Sequence, residues 1–277
     1  MNTVATDSGE QGWRARLQLE YSERERRTYL SSRSHIGPLV VQRAFHPEGD
    51  TCHTYIVHPP GGIVGGDELR LEAKANVGTQ VLLTTPAATR FYRSAGPWAH
   101  LTQIAEVERA QLEWLPQETI FYPGSRVQSA TRIMLRGDSP HFIGWEIPCL
   151  GLPAREQAFD CGELRLDFEL WKGELPLFID RMRLNGDSLA RKAQWGLAGF
   201  EALGTLLAYP ATKAHVESCR GVSCDLETAV TLVDNVLVCR ALASQAEPIK
   251  QWFVALWCEL RPQLLGRAAH RPRIWAT

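Results

Sequence analysis

Leu164-Arg165-Leu166-Asp167-Phe168-Glu169-Leu170 alternates without a break, apolar at every even position and charged at every odd one. Successive side chains of an extended chain point to opposite faces, so this is a strand with one face on a core and one in water. Downstream, residues 177–184 place Phe178, Asp180, Met182 and Leu184 on one face and Arg181 and Arg183 on the other. Asp180 therefore stands on an apolar row, where a carboxylate is costly unless it meets a cation or several donors. Two readings stay open for it: an ion pair with an arginine, or a carboxylate lining an internal, water-filled passage. Upstream, Arg16-Leu17-Gln18-Leu19-Glu20-Tyr21 alternates too, and residues 80–85 form a short apolar run of strand-favouring residues. Gly37-Pro38, Gly96-Pro97 and Pro123-Gly124 punctuate the interval. Strands at this spacing, with no helices between them, predict an antiparallel, mainly β body over about residues 13–190.

The pattern changes beyond residue 190. Apolar residues at 226, 229, 230, 233, 236 and 237 form a helical stripe, and Trp252, Phe253, Leu256, Trp257, Leu260 and Leu264 form a second one after Pro248. Pro248 suits a first helical turn and Pro262 a last. The expectation is a helical element over about 225–266 with two α-helices, capping the β body of a single domain that spans residues 1–277. The stripes read first as core-facing, and the two tryptophans keep a partner interface open as the other reading. No internal repeat is evident.

Composition narrows the function. Of 277 residues, 44% are hydrophobic and 22% charged, ordinary for a globular chain, and the net charge of −1 offers no basic field for nucleic acid. The N-terminal MNTVATDSGEQG lacks the apolar core of a secretory signal, and no stretch approaches the ~20 apolar residues of a membrane span. The seven cysteines, at 52, 149, 161, 219, 224, 239 and 258, include no C-x-x-C pair and read as reduced thiols of a cytoplasmic protein.

No catalytic nucleophile is evident, since there is no G-x-S-x-G elbow. The run His58-Pro59-Pro60-Gly61-Gly62-Ile63-Val64-Gly65-Gly66-Asp67 is glycine-rich, yet it has neither the Lys-Ser/Thr ending of a phosphate loop nor a helix after it. Prolines and glycines at this density make a rigid, shaped loop that delivers Asp67 to a fixed place. Cys52, His53 and His58 look like metal ligands, but on one extended strand they cannot close around a single ion. Cys219, Cys224 and His215 are a second conceivable surface site. Glu113-Trp114, Glu118 and Trp145-Glu146 set acids beside tryptophans, with Glu118 at a bend after Pro116.

The glycine run, with five further blocks in order, resembles one family: the urease accessory protein UreD (UreH in some organisms). The blocks are GPLVVQRAFHPEG from Gly37, HPPGGIVGGD, TTPAATRFYRS from Thr84, LEWLPQETIFY from Leu112, GWEIPCLG from Gly144, and LRPQLLG with PRIWAT near the end. The resemblance implies an elongated, many-stranded β structure, β-helix- or sandwich-like, with two α-helices near the C-terminus. It implies a non-enzymatic nickel metallochaperone scaffold that bridges apo-urease to a UreF-like protein and, through it, to a UreG-like GTPase. No cofactor would be held permanently, and Ni2+ would be in transit. Asp67 matches a proposed conduit carboxylate, and Asp180 stands where the family shows Glu. His58 and Glu118 are further candidate ligands. Nickel binds nitrogen and sulfur ligands tightly, so transit calls for weaker, exchangeable carboxylates, carbonyls and water. The competing reading is a metal-dependent hydrolase using Asp67, His58 and Glu118 in a β cleft.

Overall fold

The computed structural model describes residues 12–276; the polar stretch 1–11 read above and Thr277 lie outside the described residues. The chain opens with β1 (Arg14–Arg24), β2 (Arg27–Ile36) and β3 (Val40–Phe45), then β4 (Cys52–Val57) and β5 (Glu68–Ala75). Three coils of the same plan follow. They are β6 (Gln80–Thr84), β7 (Thr89–Phe91) and β8 (Ala99–Glu108); β9 (Gln111–Leu115), β10 (Thr119–Phe121) and β11 (Arg126–Arg136); and β12 (His141–Glu146), β13 (Pro148–Leu150) and β14 (Glu163–Lys172). The remainder is β15 (Leu175–Asn185), β16 (Ala202–Tyr209), α1 (Lys213–Arg220), β17 (Glu227–Val233), β18 (Val236–Ala243) and α2 (Ala246–Leu265).

Each coil gives one strand to each of three walls. β5, β8, β11 and β14 run parallel in a seven-stranded sheet ordered β15-β14-β11-β8-β5-β1-β2. β4, β6, β9 and β12 run parallel in the larger sheet, and β7, β10 and β13 make a narrow parallel third side. The body is thus a mainly β stack of parallel coils, not the antiparallel body expected. A parallel pair needs a crossover but not a helical one, and here the short strand of the third wall supplies it. The pairings also reveal a repeat of about thirty residues: Phe91 registers with Phe121 and Phe121 with Leu150. The Phe91 and Phe121 rings stack at 5.3 Å, and Tyr92 meets Tyr122 edge-on at 4.8 Å.

Burial explains the two kinds of strand pattern. The seven-stranded sheet packs one face on the larger sheet and turns the other to water, where Arg14–Glu68, Arg16–Glu72 and Arg136–Glu106 pair across strands. Hence its strict alternation. The larger sheet is covered on both faces, because α2 lays Trp252, Phe253, Leu256, Trp257 and Leu260 on Leu82, Leu115, Ile143 and Trp145. Its strands accordingly read as near-continuous apolar runs. Gly204 of β16 lets the helix approach, since a Cβ there would lie 2.5 Å from the Ile249 side chain.

The second stripe forms α2 as expected. The first does not: residues 227–243 are the hairpin β17–β18, joined by Asp234-Asn235 with Asp234 at φ 51°. Val230, Thr231 and Val233 are β-branched and favour a strand, and an Asp-Asn turn closes it. The other helix is α1, whose Thr212 cap and His215 form a reciprocal capping box.

Candidate functional site

An inward row of side chains crosses the seven-stranded sheet in register: Leu71, Gln103, Thr131, Phe168 and Asp180. Gln103 and Thr131 lie inside the coil stack, and Asp180, on the edge strand β15, lies at its margin. Gln103 donates its amide to the Thr131 hydroxyl at 2.8 Å, and Thr131 in turn supports the carboxylate of Glu146, which comes from the larger sheet opposite. Burial, together with the nearby negative charge of Asp180, lifts the Glu146 carboxyl from an ordinary 4.5 to about 7 despite the Thr131 hydrogen bond.

Each end of this row opens into a cavity. On the Gln103 side lies one of about 280 Å³, walled by Leu39, Ile56, Leu69, Leu71 and Leu101 with His58, Thr85 and Thr89. On the Asp180 side lies a small one of about 40 Å³, lined by Glu146, Asp167, Asp180 and Thr205 among apolar neighbours. Asp167 is held by Arg183 at 2.7 Å, and Asp180 by Arg240 at 2.8 Å. Burial holds the His58 imidazole below its ordinary pKa, against the opposing charge of Asp67. A neutral imidazole at the large cavity keeps a lone pair free to meet a cation.

Asp67 itself is tied up. Its Oδ1 accepts from the Trp13 amide at 2.8 Å and its Oδ2 from the Val64 amide at 2.9 Å, with the residue 4% exposed. It fixes the glycine loop and the start of β1. The glycines answer to packing: a Cβ on Gly62 would lie 2.0 Å from the Tyr92 ring, and one on Gly65 would lie 2.3 Å from Ser94 Oγ and 2.7 Å from the Pro97 carbonyl. The loop therefore lies flat on the next coil, and Ile63 bridges to Phe91. Asp67 and His58 share this end of the molecule, while Asp180 joins Glu146 at the other. Glu118 sits in the bend before β10, where its charge, after burial, helps push the Cys149 thiol up to about 12.

A second polar cluster lies on the opposite face of the larger sheet, beneath α2. Glu113, fully buried, accepts from Trp257 Nε1 at 2.7 Å, Arg261 Nε at 2.8 Å and Arg267 Nη2 at 2.9 Å. Arg261 also donates to both oxygens of Glu48, at 2.6 and 2.7 Å, and Glu48 meets His53 Nε2 at 2.6 Å. Burial opposes the Glu48 charge, yet His53 and Arg261 hold its carboxyl down at about 2.

The candidate metal clusters come apart. His53 belongs to the clasp under α2, Cys52 is buried, His215 caps α1, Cys219 packs against Cys239, and Cys224 is exposed. Among the described residues no group of three His, Cys, Asp or Glu side chains converges to hold a metal ion, so Asp67, His58 and Glu118 do not form the site a metal hydrolase would need. Nor is any helix among them long and apolar enough to cross a membrane.

The sequence singled out Glu146 only as an acid beside a tryptophan, and Gln103, Thr131 and Arg240 not at all. Period-2 spacing on Phe142 and Gly144 would have put Glu146 on the inner face. Gln103 and Thr131 carry no signal without the strand register.

A sequence model described as "UreD urease accessory protein" matches residues 13–276. The chain is 42% identical to "Urease accessory protein UreD" of Azoarcus sp. (strain BH72), with all of both chains covered. It is 40% identical to the protein of the same name from Citrobacter koseri, covering 100% of this chain and 96% of that one. A third, from Pseudomonas putida (strain W619), is 42% identical over 96% of this chain and 95% of its own. With matches of this extent the family is established: the chain belongs to the UreD urease accessory proteins.

Proposed function

We propose that this protein acts without catalysis in the maturation of urease, as a scaffold that passes Ni2+ through the interior of its coil stack toward the apo-enzyme. The observation that carries the reading is the line of interior polar groups Gln103, Thr131, Glu146 and Asp180, which joins the two cavities. Glutamine, threonine and carboxylate oxygens are weak, exchangeable ligands for nickel, whereas a His/Cys cage would trap it. His58 offers one imidazole at the large cavity, where the ion would enter. Glu146 and Asp180 would receive it at the small one, and Asp67 would shape the entrance by holding the glycine loop. The nickel would come from a UreG-like GTPase through a UreF-like partner, with this chain as the bridge to urease.

The test is co-expression of apo-urease with its accessory proteins, reading urease activity and bound nickel together. With Glu146→Gln and Asp180→Asn combined, both readouts are expected to fall severalfold while the chain still co-purifies with its partners. Full nickel loading with the double variant would leave only a bridging role.

A further inference from the structure

We propose that Arg240 is a tethered cation that occupies the small cavity's mouth in place of the cargo ion, so that a divalent ion reaches Asp180 only by displacing it. This rests on the passage reading above and adds to it the group that keeps the passage closed at rest.

Arg240 lies on β18, opposite Thr205 of β16 on one side and Ala229 of β17 on the other. Thr205 lines the cavity. Asp180 lies on β15, the edge strand of the other sheet. The Arg240 side chain therefore spans the gap between the two sheets where the cavity meets solvent. Its guanidinium reaches the Asp180 carboxylate at 2.8 Å and sits 5.9 Å from the centre of the Phe178 ring, two residues along the same inward face. Among the described residues Asp180 has no other cation within ion-pairing distance, whereas the neighbouring Asp167 is already held by Arg183.

Two features distinguish this pair from a structural one. It is open to water, with the Arg240 side chain 48% exposed and Asp180 29% exposed, so the attraction is screened and the pair is cheap to part. It also stands over a partly open hollow of about 40 Å³, room for one small ion or a water molecule. A divalent ion arriving at Glu146 and Asp180 would repel the guanidinium and compete for the same carboxylate. Arg240 can swing outward into solvent, since only the screened pair with Asp180 and the face of the Phe178 ring hold its charged end. The resting protein is then closed to stray cations without a hinge or a moving domain.

The full-length chain would be titrated with nickel chloride alone, as wild type, Arg240→Gln, Arg240→Lys and the double variant Arg240→Gln with Asp180→Asn. Arg240→Gln should bind one Ni2+ about fivefold more tightly than wild type, the factor a half-exposed ion pair can withhold. Arg240→Lys, which keeps the charge, should stay near wild type, and Asp180→Asn should abolish the gain. Equal affinity of wild type and Arg240→Gln would overturn the proposal, as would a gain that survives Asp180→Asn. Because lysine preserves the inter-sheet tie, loss of fold in the glutamine variant alone can be told from loss of the cation. Co-expression with urease separates the two readings. If Asp180→Asn leaves urease fully nickel-loaded, the passage fails, while the Arg240 competition still stands or falls on the titration.

Discussion

The larger sheet separates two clusters of interior carboxylates, and the two are built to opposite rules. Beneath α2, Glu113 and Glu48 are saturated: Trp257, Arg261 and Arg267 donate to Glu113, and Arg261 and His53 meet Glu48. On the other face, Glu146 has the Thr131 hydroxyl and, among the described residues, no cation of its own, while Asp180 at the stack's margin has one half-exposed arginine. Both clusters are built of carboxylates, yet the deeper one has its valence filled and the other, 29% exposed at Asp180, has capacity left over. A filled cluster fastens α2 to the sheet. An unfilled one beside a cavity is unsatisfied in a way that only a visiting cation or a proton can relieve.

The sharpest way to break this contrast is Glu113→Ala. It would leave Arg261, which has no exposed surface, without half of its compensation. Removing one partner of a buried pair costs about 3–5 kcal/mol. Urea unfolding of the full-length chain would measure it, and a loss below about 1 kcal/mol would mean that α2 is held by its tryptophans alone.

Glu48 tests the same cluster by pH. Its folded pKa, about 2, lies below the ordinary 4.5, so its contribution is complete above about pH 4.5 and is lost as pH falls through about 2. Its side chain is 12% exposed, so little screening applies. Glu48→Gln should remove roughly 2–3 kcal/mol at neutral pH and flatten the acid limb. An acid limb unchanged in the variant would assign acid unfolding to other carboxylates.

The contrast also explains how far the sequence could be read. Strands with one wet face announced themselves, as residues 164–170 did. So did α2, whose twenty residues carry five turns of periodicity. The 226–237 stripe misled because six apolar positions fit a helix by chance, while Val230, Thr231 and Val233 and the Asp234-Asn235 turn argued for a hairpin. The coil repeat was visible in Gln80-Val81 and Phe91-Tyr92 against Gln111-Leu112 and Phe121-Tyr122, but a one-residue difference in spacing hides it from a fixed-period search. Asp180 stands on its apolar row and meets an arginine, Arg240, as the first of its two readings expected; it also lines the small cavity of about 40 Å³. Asp67 was legible as the end of a rigid loop, whereas its use as an acceptor for Trp13 and Val64 depends on a neighbouring strand. Arg240 lies sixty residues from Asp180 in the chain, and only sheet order brings them together.

The last test turns to the unfilled cluster, where the sign reverses. The folded pKa of Glu146, about 7, lies above the ordinary 4.5. The folded protein thus keeps a proton that the unfolded chain has released, and stability from the neutral carboxyl is full below about pH 4.5 and is lost as pH rises through about 7. Glu146→Gln stays neutral throughout and can still hydrogen-bond Thr131. It should match wild type near pH 5 and exceed it by about 1–2 kcal/mol near pH 8, measured as paired thermal unfolding curves. Curves that stay parallel across this range would show that Glu146 is well solvated and no strained ligand. The expected gain is informative because of where it falls. On the proposed passage, a carboxylate that weakens its own fold at neutral pH would be one kept for the ion and not for the structure. The clasp under α2 should show the opposite coupling, in which loss of the carboxylate weakens the fold first and delivery only as a consequence.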